Sequence, residues 1–497
     1  MKFKIISPTK ALVLNASADE LDELRADLTY TNTAAAHLLK RHYNNKYFRA
    51  KNYTAWNARL EELKLEVKKT LVFDDGNDIY IRPGSLAYMP SAEVENVIVY
   101  PIPKKIPWNK PLPFTLHPYQ EESVEKLVKE RHSNVELCTG AGKSAILLKL
   151  CRETGFKCAI IAPSKSIFNE LLEKFEYHLG KAAVGTFGDG KKKIGKRITI
   201  CIGDSISNIK KDTPEWEFFS KLDMIAVDES HTWGAETLED LCHGIFSEIP
   251  YRFFLSGTQT RGDGAEKLLQ SIIARTVHAL TTKDAIAGDY ICTHDFTIVE
   301  LESSNPNFNS SDVLEMKREH FLRNKNIGAF VAKLANSYAT VGKQTLILVE
   351  ELSQIAMLTK LITVPYAYAH SDTNRLKLAE IGLGKADPAD AVEKFNCNEV
   401  KVLIGTSCIA TGTNIYPCHA TVNWVGGASE IKTKQGAVGR SVRKSDQNPN
   451  ASKCVPKTIS HIFDFDVRSQ YALAAWLEDR LGYYAESGTE IKRIRLK

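Results

Sequence analysis

The ten cysteines of the 497-residue chain never stand in C-x-x-C spacing, which argues against a zinc ribbon. No apolar run approaches the ~20 residues that a helix needs to cross a bilayer. An excess of one charge is missing too. With 65 basic against 60 acidic residues the net charge is only +5, which permits a nucleic-acid partner without demanding one. There is no short-period repeat, so a solenoid is not expected. The start, MKFKIISPTKALVLN, is basic, but Pro8 and Lys10 break its apolar stretch, so it does not read as a signal peptide. Cys138, Cys201 and Cys408 lie in apolar or motif-like stretches, as reduced buried thiols do. The expected setting is a reducing cytoplasm.

What is present is an ordinary globular composition, 43% hydrophobic and 25% charged, long enough for about three or four domains of ~100–200 residues. Residues 1–100 mix alternating strand patterns (FKIIS, ALVLN, IYIRP, NVIVY) with charged helical stretches, which predicts a small α+β domain. Residues 101–113, PIPKKIPWNKPLP, are dense in proline and read as a stiff linker holding that domain at a fixed distance. From 114 to 300, short apolar runs alternate with amphipathic stretches, the pattern of a parallel sheet wrapped by helices. A second such series fills 313–467, and 468–497 reads as a helical tail with a basic end.

Two segments carry phosphate chemistry. In VELCTGAGKSAILL, Val135 to Leu148, the N–H groups from Gly140 to Ser144 are placed to wrap phosphates. Lys143 would reach the β- and γ-phosphates, and Ser144 would ligate Mg²⁺. The strict pattern fails, because Leu137 stands where a P-loop has its first glycine. On this segment alone, a strand, a turn and a helix with a surface lysine remain open. In MIAVDESH, Met224 to His231, an apolar strand ends in two acids. Asp228 is placed to hold Mg²⁺ and Glu229 to orient and polarise an attacking water. Further on, QGAVGRSVRK carries Arg440 and Arg443 three apart, on one face if the segment is helical. Two guanidinium groups there could neutralise a transferring phosphoryl group, with Gln435 near the water or phosphate; a basic surface helix would show the same spacing.

Taken in order, the P-loop, DESH, LSGT (Leu255 to Thr258) and QGAVGRSVRK resemble motifs I, II, III and VI of the superfamily-two helicases, DExH type. The relaxed loop Thr139-Gly140-Ala141-Gly142-Lys143-Ser144 is normal in that family, so Leu137 is no obstacle. FTLHPYQEESV resembles the segment whose glutamine, here Gln120, reads the adenine edge. APSKSIFNELLEKF and IGTSCIATGTNI resemble motifs Ia and V. The resemblance covers roughly 114–467. It departs at SGT, where many relatives have SAT, and at ITICIGDSI, which lacks a threonine common in motif Ib.

The resemblance implies two tandem RecA-like parallel-sheet motor domains after the small α+β domain. It implies ATP with Mg²⁺ as cofactors, bound between the motor domains. It places Ser164, Lys165, Thr406, Ser407 and Thr411 against the phosphates of a bound strand, a role that positions a backbone without reading sequence. Size and domain layout resemble phage-encoded branch-migration helicases of the UvsW type. That implies ATP-dependent work on branched DNA, forks or four-way junctions, in replication, recombination or repair. The partner is then branched or single-stranded DNA and no membrane, and a monomer is compatible. A duplex-translocating restriction subunit, an RNA helicase and a P-loop kinase or switch protein stay open as alternatives. Two basic segments also stay open: GDGKKKIGKR as phosphate contact or solvated hairpin, and RHYNNKYFRAKNY as a phosphate-and-stacking surface or the packing of a small core.

Overall fold

The computed structural model describes all residues except 77, 113, 258–265, 411–414, 429–432, 434–437, 445–446, 468–470, 488 and 497. It divides into two compact units: Met1–Leu137 with Gly142–Ala279, and Cys138–Ala141 with Leu280–Lys497.

The first unit opens with β1 (Lys2–Ser7) and β2 (Lys10–Leu14), an antiparallel pair. Helix α1 (Ala18–Asp27) starts on a reciprocal cap: the Ser17 hydroxyl accepts the Glu20 N–H, and the Glu20 carboxylate accepts the Ser17 N–H. A short ribbon of β3 (Thr29–Thr31) and β4 (Lys68–Thr70) then carries α2 (Thr33–Tyr43), α3 (Lys46–Lys51) and α4 (Tyr53–Val67) between its strands. Strands β5 (Val72–Asp75), β6 (Asp78–Ile81) and β7 (Glu93–Asn96) complete a sheet of order β5-β6-β2-β1-β7. The strand expected at NVIVY ends at Asn96.

This small domain does not stand off at a distance, as the proline-rich segment led us to expect. Its buried Phe3, Leu24, Leu28 and Ile81 share one apolar core with Leu268, Leu269, Ile272 and Ile273 further along the unit. At the contact, a Cβ on Gly84 would lie 2.3 Å from the Ser271 carbonyl oxygen, so the backbones approach as only glycine allows. Arg82 sits buried there, ion-paired with Glu239 and donating to the Ser271 hydroxyl at 3.3 Å. The segment 101–113 is strapped down as well: Lys104 N–H reaches Thr154 O at 2.8 Å, Ile106 N–H reaches Arg152 O at 2.9 Å, and Asn109 N–H reaches His178 O at 2.8 Å.

The body of the first unit is the wrapped sheet that the alternation predicts. Its elements are α5 (Pro118–Glu130), β8 (His132–Leu137), α6 (Lys143–Thr154), β9 (Cys158–Ala162), α7 (Lys165–Leu179), β10 (Val184–Gly188), β11 (Lys191–Lys193), β12 (Ile198–Ile202), α8 (Gly203–Ser207), α9 (Pro214–Ser220), β13 (Met224–Val227), α10 (Ala235–His243), β14 (Tyr251–Ser256), α11 (Glu266–Ile273) and β15 (Thr276–Leu280). The order is β11-β10-β12-β9-β13-β14-β8-β15. From β10 to β8 every pair is parallel, and the central strands are buried on both faces, which is why they read as unbroken apolar runs. Such a sheet gathers its loops at the carboxyl ends of the strands.

The second unit starts earlier than expected. Strand β16 (Thr293–Leu301), which the sequence reading assigned to the first motor domain, lies in the second sheet. With β17 (Thr345–Val349), β18 (Tyr366–Ala369), β19 (Val402–Gly405), β20 (Ala420–Trp424), β21 (Ile459–Val467) and β22 (Ile491–Arg495) it forms the order β18-β19-β17-β20-β21-β16-β22. All of these pairs are parallel. Among the described residues the tail is helical over Tyr471–Ala485, and its basic end is the edge strand β22, paired with β16. The helix is locked by a buried network. Arg480 Nε and Nη2 donate to the Asp464 carboxylate at 2.7 and 3.0 Å, and Tyr484 Oη donates to Asp464 Oδ2 at 2.7 Å. Asn423 Nδ2 adds a bond to the same oxygen at 3.2 Å.

Candidate functional site

The turn after β8 is a glycine turn closing onto a helix. Gly142 caps α6 in the left-handed region, φ 77°, and a Cβ there would strike Gln120 Nε2 at 2.4 Å. Gln120 is buried beside the loop, its Oε1 accepting the His117 N–H at 2.9 Å. Proline at the first turn of α5 starts that helix without a wasted donor and so fixes where Gln120 points.

Lys143, the first residue of α6, is also buried. Its Nζ lies 3.2 Å from Glu229 Oε1 and donates to Leu137 O at 3.3 Å. Glu229 itself has φ 48°, a conformation costly for a side-chain-bearing residue and typical of functional turns. Asp228, next to it at the end of β13, is buried; its N–H is held by Ile161 O at 2.9 Å, and its Oδ1 accepts the Glu229 N–H at 3.0 Å. Burial, and then the Glu229 charge, push the Asp228 carboxyl up to about 7. Glu229 Oε2 is buried with no hydrogen-bond partner among the described residues, though His231 Nδ1 stands 3.6 Å away.

A P-loop lysine, two adjacent carboxylates, one acceptor left open and a carboxyl raised by burial form a set that fits a nucleotide with a divalent cation. The open acceptor suits a water or an ion, and the buried Asp228 charge is the kind a cation neutralises.

The structure also brings in residues that the sequence reading passed over. Lys174 Nζ lies 3.5 Å from the Ser144 hydroxyl and 2.5 Å from Glu170 Oε1. Both residues are on α7, one turn apart, a spacing visible in the sequence but without any hint that this face meets the P-loop. His231 Nδ1 hydrogen-bonds the Ser256 hydroxyl, tying the DESH turn to the end of β14.

The residues expected on a strand are occupied locally. Ser164 caps α7, accepting the Ile167 N–H at 3.4 Å, and Lys165 pairs with Asp189 at 2.7 Å. In the second unit the Thr406 hydroxyl reaches Cys408 Sγ at 3.5 Å, and Ser407 opens the short helix Ser407–Ala410. Thr411, Gln435 and Thr258 lie outside the described residues. Among the described residues the α-helical turn here is Gly439–Ser441, and Arg443 lies two residues past it. Arg440 is buried, and Arg443 stacks over the Tyr416 ring at 5.6 Å. The buried Lys457 braces this turn, its Nζ donating to Ser441 O at 2.7 Å and Tyr416 O at 3.0 Å.

Residues 113–261 match the family described as "Type III restriction enzyme, res subunit". A DNA 3'-5' translocase, XPB2 of Sulfurisphaera tokodaii, is 24% identical over 394 residues, 73% of this chain and 86% of its own. QP509L of African swine fever virus, named for ATP-dependent RNA helicase activity, is 26% identical over 253 residues, and the chain spans 45% of its length. Among solved structures, the Type ISP restriction-modification enzyme LlaBIII bound to DNA aligns at TM-score 0.52 and 11% identity over 82% of this chain and 34% of that one. UvsW of bacteriophage T4 aligns along the full length of both chains at TM-score 0.42 and 15% identity. The family match over residues 113–261 and these relatives make the chain similar to proteins of the helicase and translocase type.

Proposed function

We propose that the chain is an ATP-driven DNA motor that acts on branched DNA, migrating forks and four-way junctions. The observation that carries the ATP part is the Lys143–Glu229 pair, set beside the buried Asp228 and the Gly142 turn. Loop N–H groups and Lys143 would hold the triphosphate, and Ser144 and Asp228 its Mg²⁺. The bound nucleotide supplies the phosphoanhydride bond whose cleavage drives the cycle. Glu229 has to leave Lys143 when phosphate takes that lysine, which frees both carboxylate oxygens to orient a water and accept its proton. Arg440 and Arg443 are assigned to the developing phosphoryl charge, and Gln435 to the water.

Branched DNA is favoured by energetics. Melting plain duplex costs ~1.4 kcal/mol per stacked step. Branch migration breaks one pair while it makes another, so its net cost per step is near zero. The XPB2 relative, named as a DNA translocase, supports DNA over RNA. A second reading, translocation along duplex without strand separation, is favoured by the restriction-enzyme family match.

The test is ATP-dependent processing of matched forks, four-way junctions and linear duplexes, with triplex displacement as the readout of translocation. Junction and fork conversion without linear unwinding supports the proposal. Triplex displacement with no junction conversion selects the second reading, and stimulation by RNA alone rejects both.

A further inference from the structure

We propose that the tip of the α2–α4 arm is a second nucleic-acid site, one that takes unpaired bases of single-stranded DNA. The proposal rests on the reading of the chain as a DNA motor, but on different residues. From Leu28 to Leu60 the sequence has no acidic residue, while Lys40, Arg41, Lys46, Arg49, Lys51 and Arg59 lie within it. Arg59 is neutralised by Glu62 and Glu66. The other five form no ion pair among the described residues, so the tip is a surface of one sign.

The aromatic residues of the same stretch settle whether it is a small core. Within the tip, residues 40–59, Phe48 is half-buried and only Trp56 is fully inside, 3% exposed. It is held as a post: Trp56 Nε1 donates to His42 O at 3.1 Å, His42 Nε2 lies 2.8 Å from Trp56 O, and the two rings stack at 5.5 Å. The tyrosines stay outside, with Tyr43 61%, Tyr47 76% and Tyr53 58% exposed. The Arg49 guanidinium lies over the Trp56 ring at 4.9 Å and the Tyr53 ring at 6.0 Å, and Lys51 Nζ is 5.9 Å from the Tyr47 ring. The cations thus lie over ring faces, beside tyrosines that remain open to solvent.

That combination selects the occupant. Lysines and arginines alone would serve duplex phosphates, which need no rings. Exposed tyrosines are useful against bases whose faces are open, and every unpaired base has such a face. A protein partner would also use tyrosine and arginine, but an acid-free patch with five uncompensated cations favours a polyanion.

The test uses the full chain and a 15-nucleotide oligothymidine carrying 5-iodo-deoxyuridine, which photo-cross-links to stacked aromatic rings. Cross-linked peptides should contain Tyr43, Tyr47 or Tyr53. The triple variant Tyr43→Ala, Tyr47→Ala, Tyr53→Ala should lose those cross-links. It should also weaken single-strand binding in fluorescence anisotropy by about 10-fold or more, the scale of lost base stacking, while binding 15-base-pair duplex like the parent. Circular dichroism melting shows whether the variant keeps its fold, and Lys46→Glu with Lys51→Glu gives an independent surface disruption that should also weaken single-strand binding. Cross-links confined to residues outside 40–53, or equal loss on single strand and duplex, overturn the proposal. Failure of DNA to stimulate the parent's ATPase would sink the motor reading instead, and anisotropy would still read the arm.

Discussion

At the scale of single residues, the turn Asp228–Glu229 carries two costs. Glu229 is held at φ 48°, and Asp228 is a buried carboxyl beside a second one. Its raised pKa fixes the sign of a pH effect. Between the ordinary aspartate value and about 7, the folded protein binds a proton that the unfolded chain does not, so this group's contribution to stability falls as pH rises through that window. Without Mg²⁺, Asp228→Asn should therefore melt higher than the parent at pH 8. The gap should shrink as pH falls toward 5, and a gap independent of pH would contradict the assignment. On the chemistry, Lys143→Ala should abolish turnover. Glu229→Gln should bind ATP and not hydrolyse it, because in the proposed assignment Asp228 and Ser144 still hold the cation. Near-parental hydrolysis by Glu229→Gln would remove the water-activating role. These residues were legible in the sequence because short apolar strands delivered them at fixed spacings. Lys174 and Glu170 were not, since nothing in a helical period says which face meets a loop three elements away.

At the scale of elements, the helix Tyr471–Ala485 shows how a tail becomes part of a domain. Arg480 and Asp464 are both nearly fully buried and bonded to each other, with Tyr484 and Asn423 satisfying the same carboxylate. Removing one partner leaves an uncompensated buried charge, which costs about 3–5 kcal/mol. Arg480→Met should lower the chain's stability to urea by that order, and the double change Arg480→Met with Asp464→Leu should recover part of it. A double change that costs the sum of the singles would mean the pair is not coupled. The sequence hid this network. Asp464 sits in the strand IFDFD, where alternation gives a polar residue no address, and Arg480 looks like any surface arginine of a helix. For the same reason β16 was misplaced: an apolar run announces a strand but not the sheet it joins; the basic IKRIR of β22 has no such run and read as the end of a helical tail. The short helix Gly439–Ser441 holds Arg440, with Arg443 two residues past its end. Arg440→Ala and Arg443→Ala should still each cut kcat by roughly 10³-fold if both reach the phosphoryl group. Loss in Arg440→Ala alone would assign the role to one arginine.

At the scale of the molecule, the first hundred residues contain two parts with opposite expectations. The sheet β5-β6-β2-β1-β7 shares its core with α11, through Gly84 against the Ser271 backbone and the buried Arg82. Deleting residues 1–100 would bare Leu268, Leu269, Ile272 and Ile273 to water. Full burial of such a side chain contributes about 1.5–3 kcal/mol, so four of them exceed a large part of a domain's net stability of ~5–15 kcal/mol. The deletion should therefore give an insoluble or strongly destabilised protein, and its loss of activity would say nothing about DNA. The arm is different. Its buried Ala35, Trp56, Leu60 and Leu63 lie on its own helices and are not part of that shared core. It leaves and returns through the paired residues Thr31 and Lys68 of one antiparallel ribbon. Replacing residues 33–66 by a short Asn-Gly turn should preserve the ribbon, since a two-residue loop of that kind closes an antiparallel pair. The expected outcome is a melting temperature within a few degrees of the parent and a retained DNA-stimulated ATPase. Preference for forks and four-way junctions over linear DNA should fall, because a second contact raises effective concentration only where both sites engage one molecule. Unchanged junction preference in a well-folded armless protein would place branch recognition in the motor sheets.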